Sequence, residues 1–459
     1  MRQERNNIIL TTDSYKVSHH RQYPPGTTGV YSFFESRGGI DPTTTFFGLQ
    51  YILKRYMEGA VVTADDIEEA RELFAAHFGD RTLFNEQGWR YILNEHGGRL
   101  PVRVRAVPEG TTVPNHNVLM TIENTDPRVA WLTNYLETLL VQVWYPTTVC
   151  TQSRAMRATI LSYLERTGTP ESIDFKLHDF GYRGSTSVES AGIGGAAHLV
   201  NFKGTDTVAA LVVAKRYYHE QMAGFSIPAA EHSTITSWGR EHETDAFRNM
   251  LTSYPTGLVA VVSDSYDIFK AVSEIWGDTL RAEVLKREGI VVIRPDSGDP
   301  PKTVLEVLKR LGERFDTSTN SKGYRVLDPH VRVIQGDGID RLMVPRILTV
   351  MEKAGWSADN IAFGSGGGLL QKVNRDTQAF AFKCSAAEVG GTWRDVYKSP
   401  VTDPLKRSKA GRMKLIRVGD EYKTVREREP GADLLELVFE NGTLIRDQTF
   451  ADIRTRALL

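Results

Sequence analysis

Short apolar runs alternate with helical stretches from about residue 174 onward, and this alternation constrains the fold more than any other feature. Each run ends in Gly, Asp, Ser or His before a stretch with helical spacing follows. The runs are Phe175–Leu177, His198–Phe202, Ile227–Ala230, Leu258–Val262, Ile290–Ile293, Val331–Ile334 and Ile361–Phe363. Strands that alternate with helices predict a parallel sheet. Seven such units in about 200 residues indicate a closed or nearly closed α/β barrel.

The polar residues that follow these runs are expected to lie close together. Right-handed crossovers place the carboxyl ends of all the strands on one face of the barrel. In barrel enzymes the substrate binds at that face, so we expect a single mouth lined by polar groups. The residues placed there are Phe180, Arg183, Asp206, His232, Asp264, Asp267, Arg294, Asp296, Gly336, Asp337, Gly366 and Gly367.

A glycine-rich turn, Gly364-Ser-Gly-Gly-Gly, follows the last of these runs and precedes a helical stretch. The backbone amides of such a turn bind phosphate well, whereas a tight turn with positive φ would have the same composition. The turn matches neither a Walker loop nor a dinucleotide fingerprint, which disfavours a P-loop nucleotide fold. Because it comes late in a barrel, we expect it to bind a phosphate group.

The other mouth residues allow several kinds of chemistry. Grouped carboxylates can hold Mg²⁺ on a polyphosphate or accept hydrogen bonds from a ribose, although each alone could cap a helix. His232 could be a nucleophile, an acid or base, a phosphate acceptor or a packed histidine. The aromatic rings beside Arg183 could stack on a planar ligand or pack in the core. Together these residues predict an enzyme for a phosphorylated, ribose-like substrate and a flat ring.

Composition disfavours several other classes of protein. The 459 residues include 56 Lys and Arg and 57 Asp and Glu, a formal charge of −1, which argues against a general nucleic-acid binder. Two cysteines, Cys150 and Cys384, make neither a disulfide framework nor a multi-cysteine zinc site. Residues 130–149 are interrupted by polar groups, so we expect a core helix ending near Pro146 and not a membrane span. A cytoplasmic location is expected.

The two ends of the chain are less regular than the middle. Strand and helix patterns are mixed over the first 150 residues, and short β segments after residue 421 are expected to return to that part. We therefore expect an α/β barrel at 151–384 and an α+β domain at 1–150 plus 385–459. A basic cluster in the tail could be a solvated loop or reach substrate phosphates; it comprises Lys406, Arg407, Lys409, Arg412 and Lys414.

Ordered motifs extend over nearly the whole chain. They include Thr12-Asp-Ser-Tyr-Lys-Val, Leu177-His-Asp-Phe-Gly-Tyr-Arg-Gly, Pro228-Ala-Ala-Glu-His-Ser-Thr-Ile-Thr, Val262-Ser-Asp-Ser-Tyr-Asp-Ile, Ile293-Arg-Pro-Asp-Ser-Gly, Phe363-Gly-Ser-Gly-Gly-Gly-Leu-Leu-Gln-Lys and Lys406-Arg-Ser-Lys. In these motifs the chain resembles the nicotinamide phosphoribosyltransferase family of type II phosphoribosyltransferases. The resemblance implies an α/β barrel, a second α+β domain built from both chain ends, and homodimers with active sites shared between subunits.

The resemblance also implies a reaction. Nicotinamide and phosphoribosyl pyrophosphate would give nicotinamide mononucleotide and pyrophosphate, a salvage step towards NAD. Mg²⁺ would bind through the pyrophosphate, with its protein ligands unassigned. ATP hydrolysis would be coupled to the reaction through a phosphohistidine at His232. The expected partners are these small molecules and a second copy of the chain, with no nucleic acid or membrane.

Roles for individual residues follow from the same resemblance. The pyridine ring would lie between Phe180 and Tyr15 of the other subunit, and Asp206 would accept the carboxamide N–H. Asp296 would hold the ribose hydroxyls, while Arg294 would orient the amide or the phosphates. The ribose phosphate would contact Arg183, Gly336, Asp337, Gly366 and Gly367. The basic positions facing pyrophosphate or ATP would be Arg37, Arg375, Lys383 and Lys398. Further expected site residues are Asp13, Ser226, Ser263 and Asp267.

Three alternatives remain at this point. A nicotinate phosphoribosyltransferase would share the fold, but Asp206 would repel the carboxylate of nicotinate. A non-enzymatic binding or signalling protein is disfavoured by the full set of mouth carboxylates, Arg294 and the glycine-rich turn. A sugar-phosphate lyase would need a Schiff-base lysine or a metal-binding histidine set at the mouth, and neither is evident.

Overall fold

The computed structural model describes residues 6–399, 402 and 408–458. Its strands, in chain order, are β1 (Thr27–Ser36), β2 (Thr43–Thr45), β3 (Val102–Ala106), β4 (Thr112–Pro114), β5 (Val118–Asn124), β6 (Leu177–Asp179), β7 (Gly204–Thr205), β8 (Thr256–Val262), β9 (Glu288–Arg294), β10 (Thr317–Thr319), β11 (Arg325–Leu327), β12 (Val331–Gln335), β13 (Ile361–Ser365), β14 (Phe380–Val389), β15 (Thr392–Asp395), β16 (Met413–Val418), β17 (Glu421–Arg426), β18 (Glu436–Glu440) and β19 (Thr443–Leu444).

The α-helices are α1 (Leu49–Ile52), α2 (Ala64–Phe78), α3 (Glu86–Glu95), α4 (Leu132–Tyr135), α5 (Glu137–Leu140), α6 (Trp144–Thr167), α7 (Val188–Leu199), α8 (Val208–Tyr218), α9 (His232–Thr236), α10 (Glu243–Ser253), α11 (Ile268–Lys270), α12 (Arg281–Lys286), α13 (Pro300–Phe315), α14 (Met343–Lys353), α15 (Gly367–Leu370) and α16 (Phe450–Leu458). Wider π-helical turns occur at Leu53–Met57 and Ala271–Thr279. No helix among the described residues is long and apolar enough to cross a membrane.

The chain forms two compact units, each of which is discontinuous in sequence. The first falls within Met1–Thr151, Arg216–Glu220 and Asn374–Leu459, and the second within Gln152–Lys215 and Gln221–Val373. A compact unit is not necessarily an independently folding domain, so the predicted domain boundaries stay a prediction.

The second unit contains the predicted parallel barrel. Its six-stranded sheet has the order β7-β6-β13-β12-β9-β8, and every neighbouring pair is parallel. The segment 225–230 joins both edges of this sheet through single parallel bridges, Gly204 with Phe225 and Ala229 with Ala260. The segment therefore closes the sheet into a barrel, which confirms the predicted fold class.

Alternate residues of the barrel strands pack into two separate hydrophobic clusters. This is the consequence of the two-residue period of a strand. The outer cluster packs against the helices and includes Val259, Val261, Val291, Ile293, Val331, Val333 and Phe363. The inner cluster comprises Ala260, Val292 and Ile334 with Phe180, Ile227, Ile290 and Ala362 against it. These inner side chains leave a cavity of about 480 Å³ inside the barrel, where many barrels are filled.

Two predicted strands lie at the wrong positions. The first barrel strand is β6, because Pro170–Phe175 forms a short 3₁₀-helix before it. The run His198–Phe202 is not a strand, since His198 and Leu199 end α7 and the strand β7 follows. A short buried apolar run does not distinguish the end of a buried helix from a strand, which explains the error at His198–Phe202. At the other position the exposed Phe175 belongs to the preceding helix, and the strand begins two residues later.

The predicted core helix over residues 130–149 is also wrong. Two short helices, α4 and α5, occupy the first part, and a new helix, α6, begins at Trp144. Pro146 therefore lies in the first turn of a helix and does not end one. At that position the missing proline N–H would have had no intrahelical acceptor, so proline is tolerated.

The first unit is built around a seven-stranded sheet in the order β15-β14-β1-β5-β3-β18-β19. β1 pairs antiparallel with β14 on one side and with β5 on the other. β18, from the tail, pairs antiparallel with β3. Strands from both ends of the chain thus share one sheet, which confirms the prediction that the tail returns to the amino-terminal part.

One buried lysine ties two elements of the barrel together. Lys176 precedes β6, and its Nζ donates to the carbonyl oxygens of Ala358, Asp359 and Ile361 at 3.1–3.2 Å. Burial lowers the pKa of Lys176 to about 8, because a charged ammonium is poorly solvated there. Its three hydrogen bonds hold the start of β13 beside the start of β6.

We expect Lys176→Met to destabilise the barrel by about 2–4 kcal/mol, because three buried carbonyl groups would lose their donor. The matched control is Lys302→Met on α13, where the lysine is exposed. Thermal unfolding of the two variants beside the parent protein measures the difference. Equal midpoints for both variants would show that Lys176 does not hold these strands.

Candidate active site

Polar and aromatic residues gather at the carboxyl ends of the barrel strands. They line one cavity of about 710 Å³ in the second unit. The sequence-predicted residues that line it are Phe180, Arg183, Asp206, His232, Arg294, Asp296, Gly336, Asp337 and Gly366. Each follows or ends a strand, or follows the segment 225–230 that closes the barrel. Parallel strands bring their carboxyl ends to one face, which is why residues distant in sequence meet here.

The glycine-rich turn makes room for the Phe180 ring. The Phe180 N–H donates to the Ser365 carbonyl at 3.0 Å, as the parallel pairing of β6 with β13 requires. A Cβ atom at Gly364 would lie 2.0 Å from Cε2 of the ring, and one at Gly336 would lie 3.4 Å from the same atom. The ring therefore lies directly against the backbone of Gly364, at a position where any side chain would displace it.

Asp206 presents an exposed carboxylate beside this ring. The Ser226 hydroxyl donates to Oδ1 of Asp206, and the Asp206 N–H donates to the Asp179 carbonyl at 2.9 Å. Phe180, Asp206 and Arg294 also line the 480 Å³ cavity inside the barrel, together with Ser226 and His178. The pKa of His178 is lowered, chiefly because burial disfavours the imidazolium form. The two cavities share an aromatic ring, a hydrogen-bond acceptor and a cation.

His232 begins α9 and pairs with a buried carboxylate. Its Nε2 lies 3.0 Å from Oδ1 of Asp264, whose side chain is 4% exposed, whereas the histidine side chain is 46% exposed. The other ring nitrogen, Nδ1, has no hydrogen-bond partner among the described residues. A histidine held through one nitrogen by a carboxylate has a fixed ring orientation, which suits it for acid–base or nucleophilic chemistry at the other nitrogen.

Asp264 and Asp267 differ in what they contact. Asp267 accepts hydrogen bonds from the backbone N–H groups of Phe269 and Lys270, both at 3.0 Å, and so caps α11. It does not line the 710 Å³ cavity, whereas Asp264 contacts the cavity residue His232. The sequence offered a signal for this difference, because Asp267 directly precedes a helical stretch and Asp264 follows the strand end by two residues.

Arg294 has a donor that no described residue satisfies. Its Nη2 lies 3.5 Å from Oδ2 of Asp296, and its side chain is 18% exposed. Its Nε is buried and has no hydrogen-bond partner among the described residues. A buried guanidinium N–H facing a cavity fits an oxygen acceptor of a ligand. Asp296 itself lies against Gly336, where a Cβ atom would approach its Oδ1 to 3.3 Å.

Two predicted residues of the second unit have other surroundings. Ser263 is fully buried, donating to the Val261 carbonyl and accepting from Trp276 Nε1 at 3.1 Å. Gly367 starts α15 with no atom within 4 Å of where a Cβ would be, so its surroundings are open. Tyr182, one of the two aromatic residues predicted beside Arg183, also lines the 710 Å³ cavity. Thr207, Glu231 and Ser233 line it too but were not predicted. Each is next in sequence to a predicted site residue, and that was the available signal.

The remaining predicted residues belong to the first unit. Tyr15 is 59% exposed, and the Thr138 hydroxyl donates to Asp13 at 2.7 Å. Burial is the main cause that lowers the pKa of Lys383. Nearby positive charges lower this pKa further, whereas Glu137 raises it. Those charges are Arg37, Lys398 and Arg375. The four predicted phosphate-facing cations therefore form one group, while Lys406 and Arg407 of the tail cluster lie outside the described residues.

The described residues contain no group of three or more His, Cys, Asp or Glu side chains arranged to hold a metal ion. Mg²⁺ commonly binds proteins through one or two carboxylates together with substrate phosphates. Asp296 and Asp337 at the mouth are compatible with that mode, in which the substrate supplies most of the ligands.

Comparison with solved structures defines the class of the fold. The chain aligns over 100% of its length with 96% of a nicotinate-nucleotide pyrophosphorylase from Pyrococcus furiosus, with a TM-score of 0.62 and 16% identity. It aligns over 98% of its length with 93% of human nicotinic acid phosphoribosyltransferase, with a TM-score of 0.57 and 17% identity. The fold is that of the type II phosphoribosyltransferases.

Sequence comparison narrows the class to one family. Residues 175–443 match the nicotinate phosphoribosyltransferase (NAPRTase) family model, and residues 7–104 match the nicotinamide phosphoribosyltransferase N-terminal domain. Identity is 54% to a nicotinamide phosphoribosyltransferase of Xanthomonas campestris, over 98% of both chains. It is 32% to one of Acinetobacter baylyi, over 98% of this chain and 97% of that protein. The chain belongs to the nicotinamide phosphoribosyltransferase family.

We expect Gly364→Ala to displace the Phe180 ring, because the new methyl group would lie 2.0 Å from a ring carbon. Gly184→Ala in the neighbouring turn is the matched control, since its nearest neighbour would be 3.8 Å away. Crystal structures of both variants measure the ring position. An unmoved ring in Gly364→Ala would contradict the contact described here.

Proposed function

We propose that this protein transfers the phosphoribosyl group of phosphoribosyl pyrophosphate to nicotinamide, giving nicotinamide mononucleotide and pyrophosphate for NAD salvage. The observation that carries this proposal is that Phe180 and Asp206 both line the 710 Å³ and the 480 Å³ cavities. An aromatic face suits a planar pyridine ring, and a carboxylate suits the N–H of a carboxamide. The names of the relatives, nicotinamide phosphoribosyltransferases, support the same substrate.

Recognition of the pyridine ring is proposed to involve two aromatic residues. Phe180 would contact one face, while Tyr15 from the other subunit would contact the opposite face. Asp206, with Ser226 hydrogen-bonded to it, would accept the carboxamide N–H. A carboxylate at this position favours nicotinamide over nicotinate, because the anionic substrate would be repelled. Asp13 is proposed to support Tyr15 from the preceding turn.

The ribose 5-phosphate part is proposed to bind across the other strand ends. Asp296 would accept hydrogen bonds from the ribose hydroxyls, and the buried Nε of Arg294 would donate to a phosphate or the amide oxygen. The 5′-phosphate would contact backbone amides of the glycine-rich turn and the side chain of Arg183. The full proposed set for this part is Arg183, Arg294, Asp296, Gly336, Asp337, Gly366 and Gly367.

Pyrophosphate is proposed to leave towards the basic group Arg37, Arg375, Lys383 and Lys398, which in a homodimer would come from the other subunit. Bound Mg²⁺ would neutralise part of the pyrophosphate charge, and the pyrophosphate oxygens would supply most of its ligands. These cations stabilise the charge that develops on the leaving group. The second unit alone has Arg183 and Arg294 at its cavity, which supports a need for additional cations.

The chemical step requires the pyridine nitrogen to approach the anomeric carbon as its bond to pyrophosphate breaks. Positive charge develops on the ribose ring in this oxocarbenium-like transition state. Phe180 and the glycine-rich turn would hold the two reactants in line, which lowers the entropic part of the barrier. The carboxylates of Asp296 and Asp337 would stabilise the positive charge at the mouth.

ATP coupling is proposed to act through His232. The histidine would attack the terminal phosphate of ATP, forming a phosphorus–nitrogen bond as ADP leaves, and water would later release the phosphate. Asp264, 3.0 Å from Nε2, would orient the ring and stabilise its positive charge. Asp267 caps a helix and Ser263 is buried, so neither residue is assigned a role in this step.

A homodimer and a cytoplasmic location complete the proposal. The dimer is supported by the 59% exposure of Tyr15, an aromatic residue that the proposed ring site needs. The location is supported by the two cysteines, Cys150 and Cys384, which are thiols and not a disulfide. Oligomeric state can be measured directly by light scattering of the purified protein.

The first test is product formation by the purified protein with phosphoribosyl pyrophosphate and Mg²⁺, offering nicotinamide or nicotinate, each with and without ATP. We expect mononucleotide from nicotinamide and a higher rate with ATP. If the protein forms product from nicotinate but not from nicotinamide, the fold class still stands but the proposed role of Asp206 is overturned. No product from either substrate would favour a non-enzymatic binding protein on the same scaffold.

The second test concerns His232. We expect His232→Ala to form product from nicotinamide with the same rate whether ATP is present or absent, because the phosphoryl acceptor is gone. His242→Ala, an exposed histidine of the next turn, is the matched control and should retain the ATP effect. Full stimulation by ATP in His232→Ala would exclude the phosphohistidine.

A further inference from the structure

A buried carboxylate lies among the cations of the first unit. Glu35 is near the end of β1, two residues before Arg37, and its side chain is 3% exposed. Its Oε1 accepts a hydrogen bond from Nε of Arg37 at 3.0 Å, and its Oε2 accepts one from Nζ of Lys409. Lys409 belongs to the basic cluster of the tail, so one carboxylate joins cations from opposite ends of the chain.

The contact with Lys409 also links Glu35 to the segment that carries Lys398. Ser408, directly before Lys409, is buried. Its hydroxyl accepts the Lys398 N–H at 3.1 Å, and its own N–H donates to the Lys398 carbonyl at 3.1 Å. Two of the four predicted phosphate-facing cations, Arg37 and Lys398, are thus linked to the same carboxylate, one directly and one through Lys409 and Ser408.

The hydrogen bond to Glu35 leaves other donors of Arg37 for a ligand. A guanidinium group is planar, so a bond through Nε sets the direction of both Nη groups. Nη2 of Arg37 is buried and has no hydrogen-bond partner among the residues that the structure describes. A charged donor in this position fits a phosphate oxygen. Lys383 follows Ala381, the β14 partner of Glu35, by two residues and therefore lies on the same face of the sheet.

We propose that Glu35 is a positioning residue, which holds Arg37 and the Lys398 segment where they receive the pyrophosphate group. This inference rests on the proposed function and deepens it at the leaving-group end. Free Arg and Lys side chains lose rotamer freedom when they bind an anion, and neighbouring cations repel each other. A buried carboxylate that pairs with two cations reduces both costs before the substrate binds.

Calorimetric binding of pyrophosphate with Mg²⁺ to the purified protein tests this role. Glu35→Asp keeps the charge but shortens the side chain, so one carboxylate no longer reaches both cations. Glu35→Gln keeps the length and removes the charge. We expect the Kd of pyrophosphate to rise about tenfold in both variants, because each loses the arrangement that pairs the two cations. If Glu35 acted only through its charge, Glu35→Asp would bind as the parent protein does and Glu35→Gln would bind more tightly, which would overturn the inference.

Steady-state kinetics and a matched control separate positioning from a loss of stability. KM for phosphoribosyl pyrophosphate should rise in both variants, whereas KM for nicotinamide should stay at the parent value. The control is Glu123→Gln on β5, which also pairs with β1. Glu123 likewise contacts two cations, Arg103 at 3.5 Å and Arg412 at 2.5 Å. This control should lower the midpoint of thermal unfolding without changing the Kd of pyrophosphate.

A further variant changes no charge and is informative even if the Glu35 variants do not fold. Ser408→Ala removes the hydroxyl that accepts the Lys398 N–H and leaves every cation in place. We expect pyrophosphate to bind about threefold more weakly, because the Lys398 segment loses one of its two hydrogen bonds to Ser408. Parent affinity in Ser408→Ala would overturn the link from Glu35 to Lys398.

The outcomes distinguish this inference from the proposed function. A parent protein that does not bind pyrophosphate, or a Lys383→Met variant with the parent affinity, would refute the phosphate-binding role of the basic group and the inference with it. Weaker binding in Lys383→Met together with parent affinity in Glu35→Asp would refute the role of Glu35 alone. Weaker binding in Lys383→Met and in both Glu35 variants, with parent affinity in Glu123→Gln, supports the positioning role.

Discussion

The pairing of β6 with β13 is the constraint on which the site depends. It sets Gly364 opposite His178 and Ser365 opposite Asp179, and so places the next residue, Phe180, over the glycine backbone. The aromatic ring and the glycine-rich turn are therefore positioned by the same two strand ends. The proposed ring site and the proposed phosphate-binding turn share one pair of strands, so they cannot move independently. This would fix the distance between the ring and the sugar phosphate of the proposed substrates.

Charge is distributed in a way that matches the proposed reaction. The barrel cavity has the carboxylates of Asp206, Asp296 and Asp337, while a separate basic group in the first unit has four cations. A sugar that becomes positive as its leaving group becomes negative requires both kinds of surroundings. Arg183 and Arg294 are the exceptions, because both line the cavity beside these carboxylates. Asp296, 3.5 Å from Arg294, partly balances its charge.

Much of this arrangement could be predicted from the sequence, because strand periodicity and the polar or glycine residues that end each apolar run are local signals. These signals correctly predicted the barrel and the grouping of residues at its mouth, from Phe180 to Gly366. They misplaced His198–Phe202, since a buried helix end is as apolar as a strand. They also did not separate Asp264 from Asp267, because an Asp that follows a strand and precedes a helix can either cap the helix or face the site. The burial of Ser263 and Asp179 depends on which face of a strand meets the helices, and hence on tertiary packing.

The sheet of the first unit has a consequence for how the chain is made. β1 pairs with β14, so an amino-terminal strand has one edge unpaired until more than 350 further residues have been synthesised. An unpaired edge is a template for pairing with other chains. The barrel unit is complete before β14 emerges, whereas the sheet cannot be. During translation the pairing of the carboxyl-terminal strands is thus the last step in assembling this sheet, and termination before β14 would leave β1 with an unpaired, aggregation-prone edge.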